Sequence, residues 1–429
     1  MDRAAGVVEV AGLGASRVRY EVLALVCSLS LVSYLDRVGI SGGAPFIVSE
    51  LGLTPVQMGF VFSAFTLAYA SFEIPSGWLG DTIGPRKVIT RIVLWWSAFT
   101  TLTGLVHHFA TLLTVRFLFG AGEAGTYPNA TKVLSRWMPT VERGFGQGMV
   151  WMSGRLGGAF APALVVFMIA RMGWRPTFWI FGVVGVAWAA FFWCWFRDRP
   201  QEKSKVNEAE LRIILGGKIG PTLPSSPGVS HLRAPWSRLA RSGNLWAICW
   251  MYFCMAYGWY FYITWLPTYL KTRGVTMAYG GMPLFLGAIG CGLGGLLTDY
   301  VVKKTGTLKS RRYIGFAGFL LGALSMLASA WVADAMKAVV IISLASFFGD
   351  LTMGSCWAVC QDVGHELSGT VSGAMNCWGN LGGFLSPIVT GFVVQHFGNW
   401  NLPVVISGAI FLVGALLWLR IDPTKSVLE

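Results

Sequence analysis

Residues 154–162 read GRLGGAFAP, and residues 379–387 repeat that pattern without a gap as GNLGGFLSP. The match extends outward at nearly constant offset. GWRPTF at 173–178 answers GNWNLP at 398–403, and Gly122-Glu123 answers Gly349-Asp350. GWLGDTIGPRK at 77–87 has a weaker partner in GLLTD at 295–299, followed by Lys303, Lys304, Arg311 and Arg312. The chain therefore reads as a duplication. Parallel repeats in a membrane protein place a substrate site at their interface near the bilayer midplane.

The 429 residues are 54% hydrophobic and only 12% charged, with 54 glycines, which excludes an ordinary soluble protein. Windows of about 20 apolar residues predict twelve spans, among them 20–47, 110–135, 144–170, 336–360 and 368–395. Residues 1–17 lack the ordered parts of a signal peptide, so the first span is expected to stay as a helix. The predicted fold is an all-α membrane protein of two six-helix bundles, residues 1–197 and 243–429. A polar, basic linker at 198–242 joins them, and its NEAELRIIL segment could form a short surface helix.

The net charge of +13 does not indicate nucleic acid, because the basic residues lie in loops between spans rather than on one soluble face. Of 33 lysines and arginines, Arg171, Arg175, Lys271, Arg273 and Lys337 fall outside and Arg37, Arg116 and Arg155 within spans. The remaining 25 fall in segments that are cytoplasmic if both termini are. The positive-inside rule thus predicts cytoplasmic termini for a multi-pass protein of the cell's inner membrane.

Four ionisable residues stand out. Arg116 and Glu123 share one helix face about 10 Å apart, and Asp36-Arg37 lies in the first span. Charges at such depth ordinarily face a bundle interior or a water-filled path. The bland reading is that Arg37 neutralises Asp36 and Arg116 neutralises Glu123. The functional reading uses the arginines, with Arg155, as a planar guanidinium fork for a carboxylate. A carboxylate that gains and loses a cation also has the means to carry a proton. GAGEAG at 120–125 and GCGLGG at 290–295 match a dinucleotide pattern, but neither follows a strand, so both are read as helix packing. No metal-ligand cluster, Walker loop or nucleophile elbow appears in the sequence. No cofactor, metal or enzymatic activity is expected.

The turn GWLGDTIGPRK, its weaker copy and the twelve-span duplication resemble the major facilitator superfamily over nearly the whole chain. Within it, Asp36-Arg37, RFLFGAGEAGTYP, RWMPTVERGFGQG, GWRPTF and MNCWGNLGGFLSP resemble the anion:cation symporter family, which includes carriers of sugar acids, hexuronates and phthalates. The resemblance implies substrate-carboxylate binding at Arg37 and Arg116 and proton coupling at Asp36 and Glu123. Its pocket-forming helices 2, 10 and 11 add Tyr69, Ser355, Trp357, Asn376 and Asn380 as candidate substrate ligands beside Arg155. Gly77, Asp81, Arg86, Glu73 and Asp299 are candidates for a cytoplasmic gate, Asp81 pairing with Arg86 or Lys87. Glu73 stands where the family more usually has glutamine and is expected to form a salt bridge or gate contact. Asp350 is expected to be a hydrogen-bonded core carboxylate. The implied protein is a monomeric, proton-coupled symporter in a lipid bilayer, importing a small organic anion such as a hexonate, hexarate or hexuronate. The alternative is an exchanger or facilitator for an aromatic or dicarboxylic acid.

Overall fold

A computed structural model describes residues 14–215, 235–266 and 281–428, with Tyr269, Leu270, Arg273, Gly274 and Tyr279. Among the described residues all regular structure is helical, as it must be for a chain that satisfies its backbone hydrogen bonds within lipid. The first half comprises α1 (Val18–Leu51), α2 (Pro55–Ile83), α3 (Pro85–Thr103), α4 (Phe109–Glu123), α5 (Thr126–Trp137), α6 (Arg143–Met172) and α7 (Trp174–Trp195). Two short helices follow, α8 (Glu208–Ile214) and α9 (Trp236–Arg241). The second half comprises α10 (Gly243–Thr264), α11 (Met282–Thr305), α12 (Ser310–Ala330), α13 (Ala335–Leu351), α14 (Met353–Gly364), α15 (Ser368–Phe397) and α16 (Asn401–Trp418). Counting α4 with α5 and α13 with α14 as single spans, the helices make twelve crossings.

Two spans that read as continuous are thus broken, at matching places in the repeat. In the first, Gly125 takes a left-handed φ of 87°. Side chains support the break: Thr126 Oγ1 donates to Glu123 O (2.6 Å), and Asn129 Nδ2 donates to Gly125 O (2.8 Å) beside the Asn129 backbone N–H. In the second, Thr352 Oγ1 donates to Gly349 O (2.7 Å). Each break follows the acid of the repeat, Glu123 directly and Asp350 after one residue.

The halves meet along two seams, α2 against α15 and α6 against α11. Glycine allows both. A Cβ on Gly77 would lie 2.3 Å from Gly369 O, and one on Gly148 would lie 2.5 Å from Cys291 O. Each seam ends in a carboxylate that caps the partner helix. Asp81 accepts from Gly369 N (3.1 Å), Thr370 N (2.7 Å) and Thr370 Oγ1 (2.7 Å) at the start of α15. Asp299 accepts from Gly144 N (3.0 Å) and Phe145 N (2.6 Å) at the start of α6. An anion at a helix N-terminus meets free N–H groups and the positive end of the dipole.

Asp81 does not pair with Arg86 or Lys87. Its cationic partner is Lys132, at 3.2 Å. Arg86 is drawn to the opposite side of its helix, where its guanidinium donates to Trp193 O and its backbone N donates to Asp198 Oδ1 at 2.9 Å. Burial raises the Asp198 carboxyl above its ordinary value, against the pull of that N–H and of Arg136. Further links close the same end: Lys132 with Glu366 (3.3 Å), Arg143 with Asp362 (2.9 Å) and Arg311 with Asp362 (3.3 Å). Both described chain ends lie at this closed end, since Arg19 pairs with Glu142 and Val427 N donates to Val363 O. The NEAELRIIL segment forms α8, capped by Asn207. Its buried Glu210 accepts from Val18 N, Arg19 N and Ser16 Oγ, which fastens the segment to the start of α1.

Candidate functional site

Between the seams lies a cavity of about 300 Å³. Its charged lining consists of Arg37, Arg116 and Arg155; none of the four nearby intramembrane acids is on its wall. Toward the end away from the closed one its walls are Ser41, Phe62 and Ile263, all solvent-accessible. Among the described residues, every hydrogen bond or ion pair between the halves involves groups at or on the closed side of Arg155 and Glu73. The cavity is therefore accessible from one end only.

Helix rotation decides the fate of Asp36-Arg37. Successive residues on a helix point about 100° apart, so the two cannot share a face. Arg37 turns to the cavity and pairs with Glu123 (Nη2 to Oε1, 3.3 Å), while Ser33, one turn earlier, donates to the same oxygen at 2.5 Å. Asp36 turns the other way, is only 3% exposed, and sits near Thr100 and Trp96 of α3 with no hydrogen bond within 3.5 Å. Neither reading of self-neutralising neighbours survives: Asp36 does not bridge to Arg37, nor Arg116 to Glu123.

Arg116 is the exception among the three cavity arginines. It is 3% exposed and has no carboxylate within 4 Å, and its guanidinium rests on the Phe119 and Phe65 rings at 4.5 and 5.2 Å. Arg37 is packed in the same way, its guanidinium 4.5 Å from the centre of the Tyr69 ring. Cation–π contact holds a guanidinium in place without consuming its hydrogen-bond donors. Arg116 thus keeps its donors for a ligand.

Arg155 pairs across the halves with Asp350 (Nη2 to Oδ1, 2.9 Å) and lies 4.3 Å from the centre of the Trp259 ring. Asp350 is the buried, hydrogen-bonded carboxylate expected, and its donor is a cation of the other half. Glu73 forms no salt bridge but does contact the other half. It is fully buried with no cation within 4 Å, and it accepts from Asn376 Nδ2 (2.5 Å) and Asn380 Nδ2 (3.4 Å) of the other half. One turn apart, those two amides share a face as anticipated, but that face also meets Glu73. Asn376, Asn380 and Tyr69 line the cavity.

Ser355 and Trp357 do not reach the wall. Ser355 Oγ is hydrogen-bonded to Thr298 Oγ1 (2.8 Å) in the α14–α11 contact, and Trp357 Nε1 donates to Tyr252 OH (3.3 Å). Trp357 lies one layer back, 5.2 Å from Trp151, which stacks on Tyr127 at 4.4 Å. This aromatic floor, with Trp259, Tyr252 and Tyr260, went unread in the sequence. Trp151, one helical turn before Arg155, carried the one usable signal. No group of three or more metal-ligating side chains occurs among the described residues.

A helical duplication around a cavity with one-sided access and a cationic wall defines a membrane carrier rather than an enzyme. The Major Facilitator Superfamily model matches residues 26–387, and the chain belongs to that superfamily. It is 38% identical over 420 residues to the probable sulfoacetate transporter of Cupriavidus necator, covering 96% of this chain and 95% of that one. It is 30% identical over 426 residues to the probable galactarate/D-glucarate transporter of Bacillus subtilis, covering 96% and 93%. Among solved structures, the Escherichia coli fucose:proton symporter superposes with a TM-score of 0.68 at 17% identity, covering 94% of this chain and 99% of that one. The protein is a multi-pass secondary transporter.

Proposed function

We propose that the protein imports a small organic anion together with protons by alternating access. The observation that carries this reading is the cavity wall itself, with three guanidinium groups and no carboxylate. Desolvating an anion is favourable only where fixed donors replace its water, and Arg116 offers unclaimed donors. The bulk of the lysines and arginines fall on the closed end, which we assign to the cytoplasm together with both termini in the inner membrane. The cavity then faces outside. Residues 1–197 and 243–429 would rock as two bundles about the 198–242 linker, of which 216–234 lies outside the described residues. The cavity is built from one chain, in keeping with a monomer as the working unit.

In the proposed cycle, a proton on Glu123 cancels the charge that holds Arg37, leaving Arg37 and Arg116 to receive the substrate carboxylate. Proton release inside restores the Arg37–Glu123 pair and weakens the grip. Asp36, behind Arg116 on α1, modulates that second arginine by its own protonation. Tyr69, Asn376 and Asn380 supply neutral hydrogen bonds suited to the hydroxyls of a sugar acid such as a hexarate, hexonate or hexuronate. The sulfoacetate-transporter relative supports a second reading, a short sulfonate as cargo.

The test is uptake into proteoliposomes of labelled sugar acids, aromatic acids and sulfoacetate, with and without an inward proton gradient. Concentrative uptake of at least one anion only under the gradient is the expected result. Uptake that depends on internal counter-anion and ignores pH would replace symport by exchange.

A further inference from the structure

We infer that Arg155 is a second anion-binding pole and that the cargo carries two anionic groups, one received by Arg116 with Arg37 and the other by Arg155. This deepens the anion-carrier reading and rests on it.

The cavity is charged on two sides. Arg37 and Arg116 reach it from α1 and α4, Arg155 from α6, and all three share one space of about 300 Å³. That is small enough for the two ends of a short molecule to touch both. Arg155 is aimed by its surroundings: Trp259 lies under its guanidinium at 4.3 Å, and Asp350 fixes Nη2 at 2.9 Å. Asp350 claims only one edge of the fork. The guanidinium carries five donors; Asp350 takes one of them and the Cys291 thiol lies close to another, which leaves donors for a ligand. The acid itself is withdrawn from the cavity, 1% exposed and packed so tightly against α11 that a Cβ on Gly287 would lie 2.1 Å from its Oδ2. Asp350 is thus a positioning residue, and the wall presents its arginine. Nearby, Trp259 Nε1 is buried without a hydrogen-bond partner, so the lining has a further donor to offer, and no acid lies on the wall itself.

Two cationic poles discriminate by charge. A monoanion bound at Arg116 leaves Arg155 without a ligand, whereas a dianion of the same length engages both arginines. A fully formed charge-assisted contact in a desolvated site contributes enough to separate the two by an order of magnitude or more.

The experiment measures binding to the purified full-length protein by calorimetry, using two probe pairs: D-glucarate against D-gluconate, and sulfoacetate against acetate. For at least one pair the wild type is expected to bind the dianion ten-fold or more tighter than its partner. The double variant Arg155→Gln/Asp350→Asn removes both charges together, so no buried charge is left unpaired, and it should bring that ratio close to one. Asp350→Asn alone keeps the arginine and lifts its counter-charge, so dianion binding should tighten several-fold while the ratio widens. Equal binding of both members of each pair by the wild type would overturn the proposal, as would a ratio the double variant leaves intact; the carrier reading would survive either result. If no probe bound the wild type and none of the anions tested for uptake was transported, the carrier reading and the second pole would fall together.

Discussion

Glu123 and Asp350 occupy matching places in the two halves, each at the end of the first segment of a broken span or one residue before it, yet they take their arginines from different sources. Glu123 holds Arg37 of its own half, with Ser33 as a second donor. Asp350 holds Arg155 of the other half, and its Oδ2 has no hydrogen bond. The first pair can open and close without any movement between bundles, which suits it to respond to a proton. The second spans the moving interface, which suits it to report whether the bundles are together. Duplication has preserved the position of the acid while its work has diverged.

The largest effect should come from breaking the inter-half pair on one side only. Arg155→Leu leaves Asp350 buried without a cation, a change that costs about 3–5 kcal/mol in comparable buried pairs. The thermal midpoint of the purified protein should drop steeply, and Arg155→Leu/Asp350→Leu should recover much of the loss. Arg37→Leu should destabilise less, because Ser33 still donates to Glu123. Equal losses at the two sites would remove the distinction between the pairs.

Next comes the proton. Glu123→Gln keeps the shape and the Ser33 contact but cannot titrate, so uptake driven by an inward pH gradient should fall to simple equilibration while counterflow persists. For one coupled proton, each pH unit is worth about 1.4 kcal/mol, a tenfold accumulation. Asp350→Asn should leave that accumulation in place. If the two variants exchanged phenotypes, the roles given to the two acids would have to be exchanged as well. Loss of counterflow and of binding in Glu123→Gln would mark Glu123 as structural or as a substrate ligand.

The seams offer a smaller contrast of the same kind. Asp81→Asn loses the Lys132 ion pair as well as part of the α15 cap, whereas Asp299→Asn loses charge and one of two acceptors at the α6 cap but no ion pair within 4 Å. Caps and helix-dipole contacts of this kind are worth about 1 kcal/mol. Both variants should move the bundles toward opening at the closed end, Asp81→Asn the more, as read by spin-label distances across each seam. Glu73→Gln should move them less than either, since glutamine can still accept from Asn376.

The sequence made the architecture legible because repeats and apolar spans are one-dimensional signals. The glycines of both seams and the acids that cap them were visible for the same reason. The pairing of charges was not. Which arginine meets which acid depends on the rotation of each helix about its axis, and the adjacency of Asp36 and Arg37 along the chain pointed the wrong way, since neighbours on a helix face apart. Lys132 and Asp362 were invisible as gate residues because a lysine near a span end reads the same whether it faces solvent or a partner bundle. Ser355 and Trp357 sit on the right helices but behind the wall. In a chain with 20 tryptophans and 12 tyrosines, no pattern separated Trp259 and Tyr260 from those that only pack.

The smallest effect is expected at Glu366, and it separates exposed from buried charge at the closed end. Lys132 is 1% exposed and held by Asp81, but its other partner, the Glu366 carboxylate, is 90% exposed. Lys132 pulls the Glu366 carboxyl below its ordinary value. A carboxyl lowered in the closed state stabilises that state above its ordinary titration range, and the contribution is lost as the pH falls through the lowered value. An exposed pair contributes under about 1 kcal/mol, and Lys132 also donates to the Glu366 backbone carbonyl, which substitution leaves intact. Glu366→Gln should therefore shift the spin-label distance distribution across the α2–α15 seam only slightly at neutral pH, and not at all once the pH is low enough to protonate the wild-type carboxyl. A shift as large as that of Asp81→Asn would show that the exposed rim, rather than the buried acid at the seam, holds the bundles together.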